Sequence, residues 1–285
     1  MNMYPYQVKT IETERFSMQY CCFGKGPRTL VIIPGLSLKS VMLSAEFVVA
    51  AYSVFASDFT VYLFDRKTNA QPGYGIEQMA DDTAEAMRQL SLSNADILGC
   101  SQGGMIAQQM AITYPELVRS LVLASTAPDA NSTIQTVVGH WTELAEQGEV
   151  KTLNHNVFTH VYSPKYYNKY KAAFAKLEGS GTPEELRQFA VVARACLSFD
   201  CCGQLPKITC PVMVIGSAID QVVSPDGSRR IAQILNCPCH LYDEYGHAAY
   251  DEAPDFKQRL MDFFNFPQAE LARAMPRQRK VLKAH

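Results

Sequence analysis

Charge is scarce in this chain: Lys, Arg, Asp and Glu make up 19% of its 285 residues, and the formal net charge is −2. So weak and balanced an overall charge gives no hint of a nucleic-acid surface. Long apolar runs are missing as well, since no stretch approaches the roughly 20 residues needed to span a bilayer. Met1 to Thr10 holds no basic segment followed by an apolar one, so it does not read as a secretory signal. A soluble, cytoplasmic protein is the expectation. Zinc-type C-x-x-C spacing is also absent. The nine cysteines include the adjacent pairs Cys21-Cys22 and Cys201-Cys202 and the close pair Cys237-Pro-Cys239, and their number is odd. That pattern favours free thiols in a reducing compartment over a metal site. Cys239-His240 alone is too small a set to build a metal centre on.

Apolar residues are plentiful, at 47% of the chain, enough to bury one large core with a modest insertion. Thr29 to Gly35 is a continuous apolar run closed by Pro-Gly, as expected of a strand buried on both faces. Phe59 to Phe64, Ala95 to Cys100, Leu117 to Ala124 and Pro211 to Gly216 repeat the pattern, and Cys239 to Asp243 is a shorter version. Helical spacing falls between them, over Gln78 to Leu90, Met105 to Thr113, Pro225 to Leu235 and Pro254 to Phe264. Strands alternating with helices predict a parallel sheet covered on both faces, with Phe16 to Phe23 as an antiparallel start. No internal repeat or low-complexity tract interrupts the chain.

From about Asn131 to Gln204 the rhythm breaks. No strand-like run occurs there, and the segment divides into four helical stretches: Ser132 to Glu146, Glu149 to Tyr162, Pro164 to Glu178 and Pro183 to Leu197. Residues 1–130 and 205–266 are therefore expected to form the core and 131–204 an all-helical insertion. Residues 267–285 make a basic tail, read as a solvated terminus. The insertion carries Trp141, Phe158, Tyr162, Tyr166, Tyr167, Tyr170, Phe174 and Phe189. At helical spacing these read first as its own packing, with a few left to face a ligand.

Chemistry concentrates at Gly99-Cys-Ser101-Gln-Gly103, between an apolar strand and a helix. Gly-x-Ser-x-Gly at such a corner exposes the hydroxyl and needs small neighbours where the backbone passes close to other elements. A serine hydroxyl needs a base to take its proton. Of the six histidines, His247 is best placed, after the last short strand and before the closing helix. His140, His155 and His160 fall in the insertion, His240 starts a strand and His285 ends the chain. Asp220, in the loop after the strand ending at Gly216, is the acid that would orient the base. Asp129, after the strand ending at Ala124, is its competitor, though Asp after Pro is equally a turn or cap residue. An oxyanion needs two N–H donors, and those of Leu36, in Pro34-Gly-Leu-Ser37, and Gln102 are the candidates.

These pieces resemble the α/β-hydrolase fold superfamily, in its capped haloperoxidase and carbon–carbon hydrolase branch. The matching residues are Pro34-Gly35-Leu36, Gly99 to Gly104, Leu205-x-x-Ile208-x-Cys-Pro211, Asp220 with Pro225, and Gly246-His247. They follow the family's Ser, Asp, His order and leave only the basic tail outside. The resemblance implies an eight-stranded, mostly parallel sheet flanked by helices, with a helical cap inserted after the sixth strand. It also implies Ser101 as nucleophile, Asp220 as acid and His247 as base. Two departures stand out. Pro34-Gly35 replaces the His-Gly of many relatives, which leaves backbone donors intact. Asp65-Arg-Lys-Thr-Asn-Ala-Gln-Pro-Gly-Tyr-Gly75 replaces a glycine-rich Asp-x-Arg-Gly-x-Gly turn, so a differently shaped loop borders the site.

The expected activity is hydrolysis of an ester-like carbonyl in a small, mostly apolar substrate, through an acyl-enzyme and with no metal or organic cofactor. The same triad serves carbon–carbon or amide cleavage or acyl transfer, and sequence does not separate these. A cofactor-free oxidative role and a ligand-binding receptor with little turnover are the other readings. A small-molecule substrate is the expected partner, without nucleic acid or membrane, and a homodimer is compatible with the sequence.

Overall fold

The computed structural model describes residues 4–266; the basic tail, His285 included, lies outside them. The chain opens with β1 (Gln7–Glu12), β2 (Ser17–Gly24) and β3 (Arg28–Ile33), then α1 (Ala45–Tyr52), β4 (Phe59–Lys67) and α2 (Ile76–Gln89). There follow β5 (Ala95–Cys100), α3 (Gln102–Thr113) and β6 (Val118–Ala124). Four helices come next: α4 (Ser132–Glu146), α5 (Val150–Val161), α6 (Pro164–Glu178) and α7 (Pro183–Leu197). The chain returns to the sheet as β7 (Val212–Ser217), α8 (Ser224–Leu235) and β8 (Cys239–Tyr242), and closes with α9 (Ala249–Glu252) and α10 (Phe256–Asn265).

The strands form one eight-stranded sheet in the order β1-β2-β4-β3-β5-β6-β7-β8. Pairing is antiparallel for β1–β2 and β2–β4 and parallel from β4 to β8. Alternate residues of the central strands bury on opposite faces, which is why those strands read as unbroken apolar runs. Val31, Ile33, Ile97, Leu121 and Leu123 pack with Met79, Met87, Met105, Met110 and Ile231 of α2, α3 and α8. Leu30, Ile32, Leu98 and Val122 face the other way, onto Val49, Tyr52, Leu260 and Phe264 of α1 and α10. The former cluster continues into α4 and α7 through Ile134, Val138, Trp141, Phe189 and Val192. At the amino end of β5, Asp96 is fully buried, and it accepts hydrogen bonds from Arg28 (2.8 Å), Arg119 (2.5 Å) and Ser120 (2.5 Å). A charge so enclosed is tolerable because each of its oxygens is paired.

Three elements are absent from the sequence reading, the four-residue α9 among them. β1 has a single buried residue, Ile11, so Gln7-Val-Lys-Thr-Ile-Glu12 lacks the alternation that marks a half-buried strand. α1 errs in the opposite sense. Ala45-Glu-Phe-Val-Val-Ala-Ala-Tyr52 is apolar almost throughout, which erases the 3.6-residue contrast, and Phe47 is left 75% exposed. No helix among the described residues is long and apolar enough to cross a membrane.

Candidate active site

The parallel strands end along one rim, where the loops after β3, β5, β7 and β8 converge. β5 runs into α3 through Ser101 alone, and the turn holds that residue at φ 52°, ψ −121°, a region L-residues rarely occupy. Several contacts compel it. Ser101 N–H donates to the Ala124 carbonyl of β6 (2.9 Å), and its own carbonyl accepts from the Thr126 hydroxyl (2.8 Å) and Gly104 N–H (2.8 Å). The strain is held by hydrogen bonds to β6, to the loop after it and within the first turn of α3. Gly103 lets α3 lie against the end of β3: a Cβ there would fall 2.0 Å from the Ile33 carbonyl oxygen and 2.4 Å from that of Pro34.

Asp220 and His247 come together in the loops after β7 and β8. His247 Nδ1 lies 2.8 Å from Asp220 Oδ2, with both side chains almost wholly buried. The other Asp220 oxygen accepts from the amides of Val222 (2.8 Å) and Val223 (2.9 Å). Burial by itself would push the Asp220 carboxyl up. The His247 ring and the hydrogen bonds from it and from the two amides outweigh burial and hold the carboxyl below the ordinary carboxylate range. Asp129 lies elsewhere. Its carboxylate pairs with Arg230 on α8 (2.6 Å), and its backbone bridges to Asp200.

Ser101 and His247 open onto one cavity of about 300 Å³. Among the described hydrogen bonds none joins them directly, and such bonds commonly tighten only in the reacting complex. Gly35, Leu36, Leu38 and Lys39 from the loop after β3 form one wall, and the roof comes from α4, α5 and α7 through Trp141, Leu153, Val157, Phe158 and Phe189. A Cβ at Gly35 would stand 3.2 Å from Ser101 Cβ, so this loop passes directly over the serine. The aromatic residues divide between two tasks. Trp141, Phe158, Tyr162 and Phe189 line the cavity, whereas Tyr166, Tyr167, Tyr170 and Phe174 stack beside them, as in the Tyr167–Phe174 pair at 5.5 Å. Reading them mainly as internal packing undercounts the wall: the lining residues sit on or just after α4, α5 and α7 and the stacked ones on α6, and residue type alone does not tell those helices apart.

Sequence reasoning missed Arg66. It stands just past Asp65 in β4, where the family's glycine-rich turn is replaced. Its guanidinium donates to the Pro34 carbonyl (2.6 Å) and to Gln102 Oε1 (3.1 Å). Gln102 in turn donates to the Val192 carbonyl of α7 (2.6 Å). One planar cation thus ties the loop carrying Leu36 to the start of α3, a task suited to a rigid fork of donors. A long-range link of this kind leaves no mark in local pattern.

With this geometry in hand, the comparisons decide the lineage. The family model described as alpha/beta hydrolase fold matches residues 28–254. The chain belongs to the α/β-hydrolase fold family. It is 24% identical over 246 residues to a protein named as a carbamate hydrolase, RutD, of Rhizobium rhizogenes, covering 83% of this chain and 92% of that one. It is 23% identical over 251 residues to 3-oxoadipate enol-lactonase 2 of Acinetobacter baylyi, covering 86% and 91%. The crystal structure of the enol-lactonase from Burkholderia xenovorans superposes with a TM-score of 0.79 at 18% identity, over 90% of this chain and 99% of that one; a likeness at that identity is one of fold. Within this family the chain is a hydrolase.

Proposed function

We propose that this hydrolase is a serine enzyme that cleaves an ester-like carbonyl in a small, mostly apolar substrate. The observation that carries the reading is the shared cavity. It brings a strained serine and a histidine held by a buried carboxylate onto one apolar chamber. In this reading His247 takes the Ser101 proton as the hydroxyl attacks, and Asp220 keeps the ring oriented and stabilises the imidazolium that forms. The amides of Leu36 and Gln102 receive the developing oxyanion. His247 then protonates the leaving group, and water releases the acyl group by the same route. Residues 131–204 act as a cap that sizes the acyl group over the core formed by 1–130 and 205–266. The relatives' names, a carbamate hydrolase and an enol-lactonase, both denote attack at an acyl carbonyl, which supports this class.

A fluorophosphonate probe tests the nucleophile, and an acyl-length series of aryl esters with matched amides and lactones tests the bond and the chamber. Stoichiometric labelling of Ser101 and a fall in kcat/KM beyond short acyl chains are expected, since about 300 Å³ lies at the small end of ligand pockets. An unlabelled protein sinks the proposal.

Arg66 supplies a sharper test of the oxyanion loop. Arg66→Met removes the tie to Pro34 and leaves the Leu36 amide poorly aimed. Because that amide acts on the transition state, kcat is expected to fall by about 10–100-fold, less than the 10²–10³ of a lost donor, with KM nearly unchanged. A rise in KM at constant kcat would assign Arg66 to substrate binding instead.

Asp220 gives a pH signature in stability. Its folded-state pKa is lowered, so the stabilisation it contributes is complete above the unfolded carboxylate value of about 3.9 and is lost as pH falls through the lower folded value. The Tm gap between the wild type and Asp220→Asn is therefore expected to be widest near neutrality and to close in strong acid. A gap that widens on acidification contradicts the assignment.

A further inference from the structure

Glu252, at the end of α9, lines no part of the catalytic cavity, yet its carboxylate joins the two layers that enclose it. Oε1 accepts from the N–H of Gly246 (3.1 Å) and from the N–H of Ser163 (2.8 Å), and Oε2 accepts from the Ser163 hydroxyl. Gly246 immediately precedes His247. Ser163 caps the start of α6 and immediately follows Tyr162, which lines the cavity. A second tie flanks His247 on its other side, where Ala248 N–H donates to the Val161 carbonyl at the end of α5 (2.8 Å). Between these ties the two backbones touch. A Cβ at Gly246 would lie 2.6 Å from Ser163 N and 2.7 Å from both the Tyr162 carbonyl carbon and the Val161 oxygen, so only glycine fits.

The residues on both sides of His247 are thus bound to the turn between α5 and α6, and one side chain gathers three of the donors. Hydrogen bonds to a carboxylate are shorter and stronger than those to a neutral acceptor, and three converging on one group fix it in position. Asp220 orients the imidazole ring, but nothing in that contact locates the backbone that carries the ring.

We propose that Glu252 is a positioning residue: it sets where His247 stands relative to Ser101 by locking the His247 loop to the α5–α6 turn, so that base and cavity roof keep one register. This rests on the reading of His247 as the base. The closing experiment uses Glu252→Leu and Glu252→Gln, each well below its own Tm, following the rate of Ser101 labelling by a fluorophosphonate and kcat and KM for a short-chain aryl ester. Leucine removes all three acceptor contacts. Misplacing a catalytic group by about an ångström costs up to roughly 100-fold, so labelling rate and kcat are expected to fall about 10–100-fold with KM little changed. Glutamine can present its oxygen to both N–H groups and donate from its amide to the Ser163 hydroxyl, and it is expected to restore most of the rate. Wild-type rates in folded Glu252→Leu overturn the proposal, as does a Glu252→Gln enzyme as slow as the leucine variant. Should the leucine variant not fold, Glu252→Asp replaces it, one methylene too short to span both segments and with the same expected loss. Absence of labelling in the unsubstituted protein overturns the serine-hydrolase reading itself and is scored separately, because it requires no variant.

Discussion

Replacing Ser101 by alanine is expected to lower hydrolysis by about 10⁴–10⁶-fold and to abolish fluorophosphonate labelling while leaving the fold intact. The size follows from what is lost. On the proposed mechanism no acyl-enzyme forms without the hydroxyl and His247 has no proton to take, while the proposed backbone donors would still bind an oxyanion and set the residual rate. The fold survives because the bonds that hold the corner use the Ser101 backbone: its N–H to Ala124 and its carbonyl to Thr126 and Gly104. Alanine keeps all of them. Equal Tm values with a rate near background are the expected pair of measurements. Turnover close to that of the wild type would remove Ser101 from the chemistry.

Gly103→Ala is expected to be the most damaging single-methyl change near the site, at about 3 kcal/mol of stability, the upper end of overpacking costs, because it drives a side chain into backbone. The added carbon would fall 2.0 Å from the Ile33 carbonyl oxygen and 2.4 Å from that of Pro34. Neither is the end of a flexible side chain. Ile33 is the last residue of β3, and the Pro34 carbonyl is held by Arg66. Relief requires α3 to lift or the Pro34-Gly35-Leu36 loop to shift, and either displaces one of the proposed oxyanion donors. Denaturant unfolding reports the stability loss, and kcat of the folded fraction is expected to fall with it. Wild-type stability in this variant would mean that α3 and β3 are not packed as closely as described.

How much could be read beforehand depended on how locally each signal is encoded. The central strands were legible because burial on both faces writes itself as an apolar run. β1 and α1 were not, since one is almost wholly exposed and the other is apolar on its exposed face as well. At the site, Ser101 was visible because a strand-to-helix corner has a five-residue requirement for small neighbours. The order of strands placed His247 and Asp220 at the same rim. The fuller pattern around Asp220 favours it over Asp129. The structure adds a physical basis in the 2.8 Å contact of Asp220 with His247 and the occupation of Asp129 by Arg230. Arg66 and Glu252 left no trace, because each acts by joining segments remote in sequence.

The sequence by itself determined the α/β framework and the family and nominated the residues proposed to carry hydrolytic chemistry, since each of these follows from short-range patterning and chain order. The tertiary structure decided how those residues are held and what encloses them: the Arg66 fork, the Glu252 ties, and the four aromatic residues of the helical insertion turned toward the cavity. The division has a physical cause. Hydrophobic periodicity and turn chemistry act over a few residues and are written in order along the chain. A hydrogen bond from Arg66 to Pro34, or from Ser163 to Glu252, has no local cost or signature until folding brings its partners together.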